Sequence, residues 1–158
     1  MQQTAKFLSK HGAIITGSFA LSALGFFGEN SERTVHDIDL VFQSLDQFRQ
    51  FEKDCKELVV EEKIVLDYAD DYYRGSLQDC AIKIDCFIRN NDIATITFDG
   101  ITYESPRSIV KAKIDILFDR FMNIDDDTYK KHQNDLHYIF ELSKGFIDKT
   151  IGTQVKYV

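Results

Sequence analysis

Asp37 and Asp39 stand two residues apart in His36-Asp37-Ile38-Asp39-Leu40-Val41-Phe42, a run that is otherwise mostly apolar. Successive side chains of a strand alternate faces, so Asp37, Asp39 and Val41 share one face while Ile38, Leu40 and Phe42 share the other. Two carboxylates about 6.6 Å apart repel by roughly 2–3 kcal/mol at an effective dielectric of about 20, a stress that a cation between them relieves. In Ala81–Ile88 the same alternation sets Ile82, Ile84, Cys86 and Ile88 on one face and Lys83, Asp85 and Phe87 on the other. If the two strands are neighbours, Asp37, Asp39 and Asp85 converge on one open face of a sheet. Oxygen-only ligands favour Mg²⁺ or Mn²⁺, which keep part of their shell for water and substrate phosphates. Two such ions activate an attacking hydroxyl and stabilise the leaving oxygen of an in-line phosphoryl displacement. Gly17-Ser18 offers the complementary half: a glycine turn opening a helix lets backbone amides approach an anion where the helix dipole is positive, and the serine adds a donor. Alone, such a dipeptide is more often a helix cap; the carboxylates turn the reading toward phosphate.

The elements that must position these groups follow from spacing and turn chemistry. Gln2–Lys10 reads as a short helix with Gly12 as its left-handed cap, and Ala13–Thr16 as a buried strand. Gly17-Ser18 then opens an apolar helix that stops around Gly25 and Gly28, and the polar stretch Glu29–Thr34 forms an exposed loop. Leu45–Leu58 is predicted as an amphipathic helix through Leu45, Phe48, Phe51 and Cys55. Strands follow at Ile64-Val65-Leu66 and Ala81–Ile88, then a hairpin of Ile93–Phe98 and Ile101-Thr102-Tyr103 closed by Asp99-Gly100. Ser105-Pro106 starts a helix, since serine caps free amides and proline suits the first position; Val110, Ile114, Leu117, Phe118 and Phe121 form its stripe. A last helix is predicted over Asp127–Lys144, with Tyr129, Leu136, Ile139 and Phe140 inward and Gly145 as its stop. The tail from Thr150 lacks a period and reads as loose or as a short strand.

Composition narrows the function classes. A chain of 158 residues with 44% hydrophobic content suits one compact domain able to bury about 68–70% of its unfolded surface. Cys55, Cys80 and Cys86 are odd in number and lack CxxC spacing, which points to reduced thiols and a cytoplasmic protein rather than a disulfide framework or a zinc ribbon. No signal peptide or membrane span is expected. A net charge of −7 argues against a broad phosphate-tracking surface. The acidic runs Asp70-Asp71 and Asp125-Asp126-Asp127 read as solvated loops.

Thr16-Gly17-Ser18-Phe19-Ala20-Leu21, Arg33-Thr34-Val35-His36-Asp37-Ile38-Asp39-Leu40 and Ile84-Asp85-Cys86 together resemble the DNA polymerase β-like nucleotidyltransferase superfamily. Its signature is a Gly-Ser or Gly-Gly turn, a D-x-D strand and a later single Asp. The long interval between turn and carboxylates, and the Ser105-Pro106 helix with Lys113, are most similar to the abortive-infection type of bacterial nucleotidyltransferases. The resemblance implies an α/β (α+β) fold: a mixed sheet of about five strands with helices on one side, residues 1–104 as the core and residues 105–158 as a helical extension packed on it. It implies an enzyme in which Asp37 and Asp39 hold Mg²⁺ or Mn²⁺ on an NTP, Asp85 binds a second ion and accepts the proton of the acceptor hydroxyl, and Gly17 and Ser18 hold the β- and γ-phosphates. The acidic balance leans the acceptor toward a small molecule or a protein, with tRNA behind them. So short a chain leads us to expect a homodimer or a partner subunit. The alternative is a non-catalytic nucleotide-binding or partner protein of a toxin–antitoxin pair.

Around this constellation, Arg33 reads about equally as a phosphate or acceptor contact and as a solvated loop residue. Lys113 either reaches the triphosphate or snorkels along the core edge, with its flank also carrying Ile109, Ile116 and Arg120. Lys83 is expected to be a salt-bridge partner of Asp85. His36 should turn to the apolar side, and His132 and His137 should be structural, although Lys131-His132 and Asp135 are similar to part of a helix in the resembled subfamily. Tyr72 and Tyr73, beside Arg74-Gly75, read as packing aromatics in a loop rather than as a base reader.

Overall fold

A computed structural model describes residues 1–27, 34–65, 71–78, 81–89, 92–118 and 125–154. Its helices are α1 (Gln2–Lys10), α2 (Gly17–Ala23), α3 (Leu45–Asp54), α4 (Pro106–Phe118) and α5 (Asp126–Gln154). Its strands are β1 (Ile14–Thr16), β2 (Asp37–Phe42), β3 (Leu58–Val65), β4 (Asp71–Leu77), β5 (Lys83–Ile88), β6 (Thr95–Phe98) and β7 (Ile101–Glu104). They form one mixed sheet in the order β3-β4-β5-β2-β1-β7-β6. The pairs β2–β5 and β1–β7 are parallel and the remaining neighbours antiparallel.

The sheet has seven strands among the described residues, where the resemblance implied about five and the sequence patterning marked six segments. The concealed one is β4, read from sequence as a loop because Arg74-Gly75-Ser76 is polar and interrupted by glycine. Gly75 is needed there: a Cβ at this position would lie 2.4 Å from the Val59 carbonyl oxygen, so β3 approaches at a distance that only glycine permits. β3 also begins earlier than its apolar run suggested. α3 stops at Asp54 with Cys55 as its cap, and Leu58 already belongs to the strand.

The period-2 pattern of β2 and β5 divides the two faces as expected. Ile38, Leu40, Phe42, Ile84, Cys86 and Ile88 join one apolar cluster. Each helix contributes to that cluster: Leu8 from α1, Leu21 from α2, Phe48 and Phe51 from α3, Ile109 from α4 and Ile139 from α5. Phe42 packs edge-on to Phe48 at 5.4 Å, and Tyr73 stacks on Phe48 at 4.4 Å. Burial of each such side chain contributes about 1.5–3 kcal/mol. On the reverse face Ile14, Val41, Ile93 and Phe87 form a smaller cluster, beside the carboxylates. The β6–β7 hairpin turns at Asp99 (φ 49°) and Gly100 (φ 70°), as the Asp-Gly pair predicts. α4 starts at Pro106, with the Ser108 amide donating to Ser105 Oγ at 3.3 Å.

The C-terminal helices depart from their predicted faces. In α4 the buried residues are Ile109 and Lys113, the flank rather than the predicted stripe; Phe118 is 79% exposed and Phe121 lies outside the described residues. In α5 Leu136 and Ile139 are buried as expected, whereas Tyr129 and Phe140 are exposed. α5 also runs through Gly145 to Gln154, since a helical glycine costs only about 1 kcal/mol and terminates nothing by itself. The expected loose tail is thus helical up to Gln154. No described helix is long and apolar enough to cross a membrane.

Candidate metal and nucleotide site

Parallel pairing of β2 with β5 sets Asp39 opposite Asp85 and Asp37 opposite Lys83. One carboxylate oxygen from each of Asp37, Asp39 and Asp85 lies within 4.8 Å of the others, and all three residues are half-buried. Burial, followed by the charge of Asp37, pushes the Asp39 pKa up to about 7, although the Lys131 and Lys113 ammoniums pull it down. The Asp37 and Asp85 charges beside it disfavour the ionised form of Asp39. With oxygen as the sole donor type, the cluster could bind a divalent metal ion, which would relieve that stress.

Gly17 belongs to the same cluster through its backbone. It adopts φ +67°, and a Cβ there would fall 1.9 Å from Asp39 Oδ2. Glycine therefore supplies both the left-handed turn and the space that Asp39 occupies. Ser18 follows, 1% exposed. Its hydroxyl donates to Asp135 Oδ2 at 2.7 Å. The Lys113 ammonium lies 2.9 Å from that same oxygen, 3.3 Å from His132 Nδ1 and 3.5 Å from Ser18 Oγ. The structure thus brings Lys113 to the Ser18 hydroxyl of the Gly17-Ser18 turn, engaged with a buried carboxylate of α5. Arg33 lies outside the described residues.

Three further side chains contact the carboxylates. Lys131, also on α5, sits 3.4 Å from Asp37 Oδ2. On the outer side β4 lays Arg74 opposite Asp85, and Arg74 Nε lies 3.4 Å from Asp85 Oδ1. The Tyr72 hydroxyl donates to that same oxygen at 2.7 Å. Burial and then this hydrogen bond raise the Tyr72 pKa. Among the described residues the ion pair on Asp85 is with Arg74, not the expected Lys83, which is exposed. His36 is exposed rather than turned to the apolar side, because β2 begins only at Asp37. Tyr72 and Tyr73 lie in a strand and alternate: Tyr73 packs in the core and Tyr72 faces the site.

Continuing across the sheet, Thr16 stands opposite Asp39, and its hydroxyl donates to the fully buried Glu104. Glu104 in turn takes an ion pair from Arg89 at 2.7 Å and a hydrogen bond from the Ser108 hydroxyl. Arg74, Asp85, Asp39 and Thr16 make one polar row over four adjacent strands, ending at Glu104 on the fifth. Sequence reasoning missed Tyr72 and Arg74 as neighbours of the site because it missed β4; once that strand is recognised, their i, i+2 spacing places them together. It noted Lys131 and Asp135 only as a likeness, and their helix-face spacing (i, i+4) was the available signal.

No protein-family model matches the sequence, and no curated protein matches it. Three solved structures are similar. JHP933 from Helicobacter pylori is 14% identical, with 90% of this chain and 63% of that chain covered and a TM-score of 0.47. A second H. pylori protein, described as a candidate nucleotidyltransferase, is 12% identical over 90% of this chain and 73% of that chain, with a TM-score of 0.46. TM1012 from Thermotoga maritima, described likewise, is 16% identical over 73% of this chain and 81% of that chain, with a TM-score of 0.50. The chain thus spans about 63% of the length of JHP933. At these identities the likeness concerns backbone architecture, and TM1012 supports it: the chain adopts a nucleotidyltransferase-like fold.

Proposed function

We propose that this protein transfers a nucleoside monophosphate from an NTP to a hydroxyl acceptor and releases pyrophosphate. The observation that carries the reading is the convergence of Asp37, Asp39 and Asp85 within 4.8 Å on one sheet face. These residues would hold divalent ions, Mg²⁺ or Mn²⁺, with Asp37 and Asp39 toward the triphosphate and Asp85 toward the acceptor. Such ions, when bound, neutralise charge on the departing pyrophosphate and make the acceptor hydroxyl easier to deprotonate. Asp85 takes the hydroxyl proton as the oxygen attacks the α-phosphorus, and the bond from that phosphorus to the bridging oxygen breaks. Gly17 and Ser18 would face the β- and γ-phosphates through their backbone amides, since the one Ser18 hydroxyl hydrogen goes to Asp135. Lys113 acts beside that turn, where its charge favours ionised Asp39. Arg33 is assigned to the phosphates or the acceptor. The net charge of −7 favours a small-molecule or protein acceptor over tRNA.

The test is incubation with each of four labelled NTPs, Mg²⁺ and a panel of hydroxyl acceptors. Label should move to one acceptor class and be lost in Asp37→Ala; labelling unchanged in that variant removes the assigned ligands. A second reading has an observation of its own. The Ser18 hydroxyl and Lys113 ammonium are engaged with Asp135, which suits a protein that binds nucleotide without transferring it, as a partner in a toxin–antitoxin pair would. In that case Mg²⁺ and NTP together raise the melting temperature, yet no acceptor is labelled.

A further inference from the structure

We infer that Tyr72, held by Arg74, is a positioning residue that fixes Asp85 so that its second oxygen, Oδ2, is presented to a divalent cation. The inference rests on reading Asp37, Asp39 and Asp85 as a cation site. Across β4 and β5, Tyr72 pairs with Phe87 and Arg74 with Asp85. The Tyr72 ring is 6% exposed and stacks on Phe87 with centroids 4.8 Å apart and planes 18° from parallel, so the phenol does not swing freely. Its hydroxyl is 2.7 Å from Asp85 Oδ1, and Arg74 Nη2 donates to the phenol oxygen at 3.1 Å.

The direction of these bonds is dictated by chemistry. A phenol has one hydrogen, and a guanidinium accepts none. Arg74 therefore donates to Tyr72, and the single Tyr72 hydrogen goes to Asp85. Arg74 Nε lies 3.4 Å from the same Oδ1 and adds a second donor. An oxygen that already accepts twice has little lone-pair capacity left, so Oδ2 is left to meet the cation with one lone pair and the acceptor's proton with the other. A carboxylate held in this way does not lose its rotational freedom when the cation arrives. Outer partners of metal ligands are typically worth about 10–100-fold in affinity.

Mn²⁺ serves as the probe, with its dissociation constant and the paramagnetic resonance spectrum of the bound ion measured beside thermal unfolding. Tyr72→Phe should raise the Mn²⁺ dissociation constant about tenfold and alter the spectrum of the bound ion. Arg74→Lys, which keeps the charge but loses the two-donor fork, should shift both in the same direction, and it decides the matter if Tyr72→Phe does not fold. Tyr73→Phe deletes the same atom on the opposite face of the strand and should leave both at wild-type values. Wild-type affinity and spectrum in Tyr72→Phe and Arg74→Lys overturn the positioning role while leaving the cation site standing. Failure of the wild-type protein to bind Mn²⁺ overturns the cation site, and the positioning role with it.

Discussion

Gly17 and Asp39 constrain each other closely. A methyl group on Gly17 meets both a left-handed backbone and the Asp39 carboxylate. Gly17→Ala should lower stability by at least about 1–2 kcal/mol from the backbone alone, read as a shift in urea midpoint; an unchanged midpoint refutes the close approach. Asp39 also predicts a pH dependence. Its pKa in the folded protein is about 7 against an ordinary value of 3.8. Between about pH 4 and pH 7 the native state therefore holds a proton that the unfolded chain has released, and metal-free stability falls as pH rises through this window. Thermal unfolding across that range should show the decline, and Asp39→Asn should flatten it. At this scale the three aspartates were legible in the sequence, because alternation in a strand is a local rule. Tyr72 and Arg74 were not, since their part depends on a strand whose polar, glycine-broken sequence resembles a loop.

Among the elements, α4 was located by its start signal and then misjudged in rotation, whereas α5 was read correctly at Leu136 and Ile139 and wrongly at Tyr129 and Phe140. Val110, Ile114, Leu117 and Phe118 offered one apolar stripe and Ile109 with Ile116 another, and periodicity does not choose between two such stripes. The choice is made by Lys113, whose ammonium meets Asp135 on α5 and the Ser18 hydroxyl at the start of α2. Lys113 and Asp135 are both buried. Removing one member of such a pair costs about 3–5 kcal/mol, whereas replacing both with apolar residues often costs little. Lys113→Met should therefore destabilise by about 3–5 kcal/mol in denaturant unfolding, and Lys113→Met/Asp135→Leu by clearly less. Equal losses in the two would show that the pair does not govern how α4 seats on α2 and α5.

For the molecule as a whole, cation binding and folding are linked. At about 100 times its dissociation constant a cation bound only to the native state adds about 2.7 kcal/mol, or about 5–11 °C in melting temperature for a chain of this size. Mn²⁺ should produce that shift in the wild-type protein and none in Asp37→Ala; a shift retained in the variant places the ion elsewhere. By itself the sequence determined the alternation of β2 and β5, the turns at Gly17 and Asp99-Gly100, the start of α4 and the three aspartates, because each follows from neighbours a few residues apart. Only the tertiary structure decided the order of the strands, the inward face of α4, and which partner each carboxylate meets. The Ser18–Asp135 and Lys131–Asp37 contacts span 117 and 94 residues. Periodicity carries no information over such separations, and packing of the sheet and of α5 supplies it.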